Sequence, residues 1–195
     1  MSEDCDEFTS QESTYVVVKD GGTTTIKYYF RGYIDQEKVS PFIETMFFWD
    51  AEYPDSNWDI TINSEGGEIF PSIAAYGALS GYSARKEGGH LITTRVAGLA
   101  ASGGELLFQA GDIRVGGLMD MLMIHQPLCS YEDISVSQIR ADLDRADEWT
   151  HRLALIHAER SHLSVEEFLD KVKQGDWWMF ADEAVELGFA DEVLS

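Results

Sequence analysis

Hydrophobic residues alternate and cluster along this chain in a readable order. "TYVVVKDGGTTTIKYYFRGYI" holds two β-rich runs around Asp20-Gly21-Gly22, with Ile26, Tyr28 and Phe30 alternating, which predicts a hairpin. From Glu37 to Trp49 the period changes: Val39, Phe42, Ile43, Met46 and Phe47 fall at helical spacing. Trp58, Ile60 and Ile62 alternate again in "NWDITINSEGG", a strand running into a glycine turn, and "EIFPSIAAYGALSGY" reads as a helix of small residues with Pro71 in its first turn. "HLITTRVAG" is another strand, and the segment around Ser102 opens the next helix. "MLMIH" is a short apolar strand that ends at His125 and is stopped by Gln126-Pro127. Ile139, Leu143, Ala146, Trp149, Leu153 and Ile156 predict the longest helix over 135–160. Ser164 with Glu167 forms a capping box ahead of "FLDKV", and "DEAVELG" is a last short helix closed by Gly188. Strands alternating with helices imply parallel pairing through right-handed crossovers in one α/β domain, without linker or repeat.

Composition narrows the class. The chain has 195 residues, 44% of them hydrophobic, enough for one domain with a full core. Its 35 acids against 14 bases give a net charge of −21, which argues against unaided binding to nucleic acid or to anionic lipid. The acids are spread along the chain, so none of them forms an interaction tail. Cys5 and Cys129 make neither a disulfide framework nor a CxxC metal pattern, and a reducing, cytoplasmic setting is expected. Residues 1–14 are acidic and polar with no apolar stretch; they are expected to be a disordered leader rather than a signal peptide, ahead of a single domain over 15–195. No run of apolar residues is long enough to span a membrane.

Candidate chemistry sits where parallel sheets usually carry it, at the carboxyl ends of strands. Gly66-Gly67 follow the strand ending "TINS", Ser102 follows the strand ending "TRV", and His125 ends "MLMI". Ser102 stands between Ala100-Ala101 and Gly103-Gly104. Small neighbours let backbones approach closely; they also leave room and N–H groups around a nucleophile. Gly66-Gly67 can be a tight turn or a pair of donors facing a developing anion, and His125 can be structural or a base. His90, His151, His157 and His162 are read as structural. Asp176 is an acid candidate because Trp177 and Trp178 follow it and can shield it from water.

Taken together, "TINSEGGEI", "AGLAASGGELLFQAG", "MLMIHQPL" and "GDWWMFADEAVELGFAD" resemble, in order and spacing, the ClpP family of serine proteases, over about Tyr28 to Val193. The resemblance implies an α/β fold, the ClpP/crotonase-like spiral of ββα units with a protruding handle helix, matched here by 135–160. It implies a serine endopeptidase with Ser102 as nucleophile, His125 as base, Asp176 as orienting acid, the backbone N–H groups of Gly67 and Gly103 as oxyanion donors, and no metal or cofactor. It implies a heptamer or double heptamer acting on peptide or unfolded protein, fed by an AAA+ unfoldase. Several positions depart from the pattern. Gly103 stands for the usual Met and Glu105 follows it; "AASGGELL" is also similar to the signal peptide peptidase family, whose Ser-Lys dyad finds no Lys here between Ser102 and Lys171. Gly175 and Trp177 replace the arginines flanking the acid, and the N-terminus differs, which leaves ring stacking and unfoldase docking open. An idle assembly subunit and a phage-type head-maturation protease are alternatives on the same fold, and an acyl-CoA enzyme of the crotonase class is a remote further one.

Overall fold

The computed structural model describes residues 6–9, 14–128, 133 and 135–194. Its strands are β1 (Asp6–Thr9), β2 (Thr14–Asp20), β3 (Thr23–Arg31), β4 (Asn57–Ser64), β5 (Ile92–Ala101), β6 (Ile113–Gly117), β7 (Met121–Ile124), β8 (Trp177–Phe180) and β9 (Glu192–Leu194). Its α-helices are α1 (Gln36–Glu52), α2 (Ile69–Tyr82), α3 (Gly103–Phe108), α4 (Val136–Arg160), α5 (Val165–Val172) and α6 (Ala181–Leu187). The leader expected over 1–14 contributes β1 and the first residue of β2; the rest of it, like Cys5 and Cys129, lies outside the described residues.

One sheet runs β1-β2-β3-β4-β5-β6-β9, with β7 joined to β5 and β8 joined to β7. The centre is parallel, as the alternation of elements predicts. The hairpin β2–β3 and the pair β7–β8 are antiparallel, so parallel pairing does not extend throughout. β8 was hidden in the sequence because "WWMF" is too short and uniformly apolar to show a period.

The feature that positions the site is a fork in β5. Thr93–Arg95 pair with β6, whereas Leu99–Ala101 pair with β7. The strand turns between them at Gly98, whose φ is +92° and whose N–H donates to Asp120 Oδ1 at 2.7 Å. The same Asp120 accepts from the N–H of Gly117 at 2.6 Å, so one carboxylate pins both branches. Pairing with β7 sets Ala101 opposite Met123 and brings the ends of "GLAAS" and "MLMIH" to the same rim.

The core lies between the sheet and the helices. Trp49, Trp58, Phe30 and Phe42 are fully buried and meet edge to edge, with ring centroids 5.2 Å apart for both Trp49–Trp58 and Phe30–Phe42. Each such side chain contributes roughly 1.5–3 kcal/mol by leaving water. Ser164 and Glu167 form the expected capping box of α5 and Gly188 closes α6 at φ +82°, while Asp35, which the sequence reading did not single out, caps α1 by accepting from Lys38 N–H.

α4 is the longest helix at 25 residues, and its buried residues begin only at Thr150. Its surface carries ion pairs, Arg145 contacting Asp142 upstream and Arg152 pairing with Glu148 at 2.7 Å across Thr150. Among the described residues, no helix is long and apolar enough to cross a membrane.

Candidate active site

The site begins with a backbone conformation. Ser102 links β5 to α3 with φ +54° and ψ −119°, a region that an L residue occupies only when its surroundings compel it. Those surroundings are visible. Its N–H donates to the carbonyl of Met123 at 2.7 Å, and its own carbonyl accepts from Leu106 N–H at 3.0 Å. A Cβ on Gly66 would lie 2.7 Å from Ser102 Cβ, one on Gly103 would lie 2.0 Å from Ser72 Oγ, and one on Gly104 would lie 2.9 Å from Ser64 Cβ. The small residues around Ser102 therefore do both things the sequence allowed. They let three backbones close on one another, and they push a hydroxyl out at the apex of a sharp turn.

His125 reaches that hydroxyl. It lies just past β7, two residues beyond Met123, and its Nε2 is 2.8 Å from Ser102 Oγ. Its Nδ1 faces Asp176 Oδ1 at 3.6 Å, close enough for an ion pair but too long for a good hydrogen bond. The imidazole is largely covered, with 17% of its side chain exposed, whereas the Asp176 side chain is 57% exposed. The expected shielding by two tryptophans is not found. Strand alternation in β8 turns Trp177 inward against Phe189, centroids 5.4 Å apart, and leaves Trp178 outward and 46% exposed. Asp176 precedes both, beside Gly175 at φ +117°, and is covered by neither.

Gly66-Gly67 form the facing wall. Ile34 N–H donates to Gly66 O at 2.9 Å and Ile34 O accepts from Glu68 N–H at 2.8 Å, in a parallel bridge. Such a bridge uses the groups on either side of Gly67 and turns the Gly67 N–H to the opposite edge. Among the described residues, no protein acceptor takes the N–H of Gly67 or of Gly103. Both glycines line one cavity of about 570 Å³ together with Ser102 and His125. Its walls are largely apolar, from Ile73, Leu106, Met123, Trp149 and Leu153, and its charged lining includes Glu65, Glu68 and the paired Asp142 and Arg145. Trp149 of α4 meets Phe70 of α2 edge-on at 5.8 Å across it.

The pairing of two buried polar side chains of the cavity escaped the sequence reading. Glu105 and His157 line it while keeping 1% and 4% of their side chains exposed, and they pair at 2.7 Å. His157 is thus structural as expected, but through a buried ion pair. The one available signal was a lone acid inside the apolar run "GGELLF". The other histidines do not approach Ser102: His90 binds Ser56 O and Asp50 at 2.7 and 3.1 Å. No group of three His, Cys, Asp or Glu side chains that could hold a metal ion occurs among the described residues.

A hydroxyl bonded to an imidazole, beside two unclaimed N–H groups in an apolar cleft, has the parts that acyl transfer requires. The mixed α/β architecture around it is that of ClpP-like proteins. A family model described as Clp protease matches residues 23–195, and the chain belongs to that family. It is 27% identical over 162 residues to the ATP-dependent Clp protease proteolytic subunit 2 of Tropheryma whipplei (strain Twist), a match covering 82% of this chain and 86% of that protein. The protein is a peptidase of the Clp type.

Proposed function

We propose that the chain is a serine endopeptidase in which Ser102 is the nucleophile. The observation that carries this reading is the 2.8 Å contact between His125 Nε2 and Ser102 Oγ at a strained strand-to-helix turn. A peptide binds extended beside Gly66-Gly67 by main-chain pairing, with a side chain in the apolar cavity. His125 Nε2 takes the proton of Ser102 as Oγ attacks the scissile carbonyl, and later delivers it to the leaving amine. The oxyanion forms against the N–H groups of Gly67 and Gly103, one such donor being worth roughly 3–4 kcal/mol. Water then hydrolyses the acyl-enzyme by the same route. Asp176 fixes the imidazole with Nδ1–H toward it and stabilises the imidazolium. Its contact must shorten for that role, and assembly supplies the means, because a neighbouring subunit can cover a carboxylate that is open in the single chain.

The proposed working form is a ring-shaped homo-oligomer, a heptamer or double heptamer in the cytoplasm, with α4 as the handle between rings. Exposed apolar side chains support assembly: Phe47, Leu118, Met119 and Leu128 are 60%, 56%, 81% and 84% exposed. Unfolded proteins are the proposed substrates. An AAA+ unfoldase is the proposed feeder, supported by the words "ATP-dependent" in the relative's name.

The loose Asp176 contact favours a second reading, an assembly subunit whose triad is idle. A fluorophosphonate probe with a fluorogenic peptide on the assembled protein separates the two. Labelling that maps to Ser102, together with hydrolysis, supports the enzyme; neither, in a sample shown to be assembled by native mass spectrometry, supports the idle subunit.

A further inference from the structure

Glu105 occupies an unusual position. It stands on α3, every residue of which is buried, three residues after Ser102. An unpaired carboxylate at that depth is strongly disfavoured. Its Oε2 lies 2.7 Å from His157 Nε2, and its Oε1 accepts from Gln109 Nε2 at 2.8 Å. The other nitrogen of His157, Nδ1, lies 2.7 Å from the carbonyl oxygen of Leu153. A carbonyl oxygen only accepts, so Nδ1 carries a hydrogen. The contact at Nε2 then holds one further proton, either on the imidazole facing a carboxylate or on a carboxylic acid facing the imidazole. The pair is neutral in both forms. Loss of that proton leaves a bare negative charge beside Phe168, which stacks on the imidazole at 4.6 Å, and Phe189, edge-on at 6.0 Å.

The charges that reach the pair come from few elements. α3 presents Glu105 itself. β6 presents Arg114, whose Nη1 donates to Gln109 Oε1 at 2.7 Å, and the segment before β9 presents Asp191, which holds Arg114 at 2.7 Å. α4 presents the Leu153 carbonyl, and its Arg160 is turned to Gly111 O at 2.7 Å. α5 presents the ring of Phe168. The pair thus joins α4 to α3. Apart from His157, the buried residues of α4 are Thr150 and Ala154; the helix is also held at its end by Glu159 on Arg85 and Lys86 and by Arg160 on Gly111 O, so the pair is its buried polar link to α3. Within the same turn of α3, the bond from the adjacent Leu106 N–H to Ser102 O ties Glu105 to the strained serine.

We propose that Glu105 and His157 are positioning residues: a proton-holding clasp that keeps α4 docked on α3 and thereby holds Ser102 in its reactive turn. The proposal rests on Ser102 being the nucleophile. Burial by itself lowers the basicity of His157, but the charge of Glu105, its hydrogen bond and the Leu153 carbonyl outweigh it and raise the pKa above the ordinary value of 6.5. A pKa raised by folding contributes stability that is fully present below the unfolded value and is lost as pH rises through the folded one. The clasp therefore opens on the alkaline side.

The test uses the full chain in its assembled form and two readouts across pH. One is the rate at which a fluorescent fluorophosphonate acylates Ser102; the other is amide hydrogen exchange over 103–109 and 150–160, corrected for intrinsic rates. In the unaltered protein, acylation falls by about tenfold on the alkaline side, within the usual range for coupled sites, and exchange quickens with it. Glu105→Leu/His157→Leu fills the site with side chains that need no proton. It loses the alkaline limb in both readouts. Glu105→Gln, which leaves His157 without its charge partner, moves the alkaline limb to lower pH. Identical alkaline profiles in the unaltered protein and the double variant overturn the clasp. Where the double variant does not fold, an unshifted profile in Glu105→Gln overturns it instead. Exchange that loosens with pH in the unaltered protein and not in the double variant supports the clasp even without acylation, an outcome that refutes the nucleophile assignment alone.

Discussion

Two histidines line the same cavity, and each faces a carboxylate, but the two pairs are built in opposite ways. His125 and Asp176 stand 3.6 Å apart with the acid 57% exposed, while His157 and Glu105 stand 2.7 Å apart with the acid 1% exposed. In the role proposed for His125 the acid has to close on the imidazole to orient it, and an exposed carboxylate has the freedom to do so. A clasp is served by a proton it keeps, which requires burial and a short contact. Burial depth and distance, rather than residue type, separate the two roles.

The largest effect that sharpens the contrast is at the nucleophile. Ser102→Ala lowers kcat on the order of a million-fold, as loss of a triad nucleophile does, and abolishes fluorophosphonate labelling; a variant retaining peptidase activity removes the first pair from catalysis. Asp176→Asn comes next. It lowers kcat by about ten thousand-fold in the assembled protein if the contact tightens there, and a loss of less than about tenfold shows that the acid stays open and orients nothing. Third is Glu105→Gln. Removing one partner of a buried pair costs about 3–5 kcal/mol in denaturant unfolding, and Glu105→Leu/His157→Leu recovers most of it; a single variant as stable as the parent dissolves the distinction between the pairs. The smallest effect is a control far from both. Asp35→Ala removes the cap of α1 and costs about 1 kcal/mol by thermal melting, with the alkaline limb of acylation unmoved.

Much of this molecule is legible along the chain. The hairpin, α1, α2, α4 and the α5 capping box follow from spacing and cap residues alone, because they are decided within a few turns of chain. β6, β8 and β9 are short, and β8 carries no alternation of polarity; they become strands because β5, β7 and β6 offer them edges. Ser102 and His125 could be named because each ends a recognisable strand. Asp176 could be named, but the reason given for it, shelter by Trp177 and Trp178, is reversed by the alternation of β8. His157 could only be set aside as structural, since its partner lies 52 positions away on another helix.

What the sequence by itself determined is the longer helices and strands, their order, and which turns carry a hydroxyl, an imidazole and paired glycines. These are properties of neighbours, fixed by periodicity, capping and the freedom of glycine. The tertiary structure alone decided the fork of β5 at Gly98, the 2.8 Å approach of His125 to Ser102, the exposure of Asp176 and the burial of Glu105 against His157. Each depends on which distant strands and helices pack together, and packing at close-packed density is a property of the assembled core that no local pattern contains.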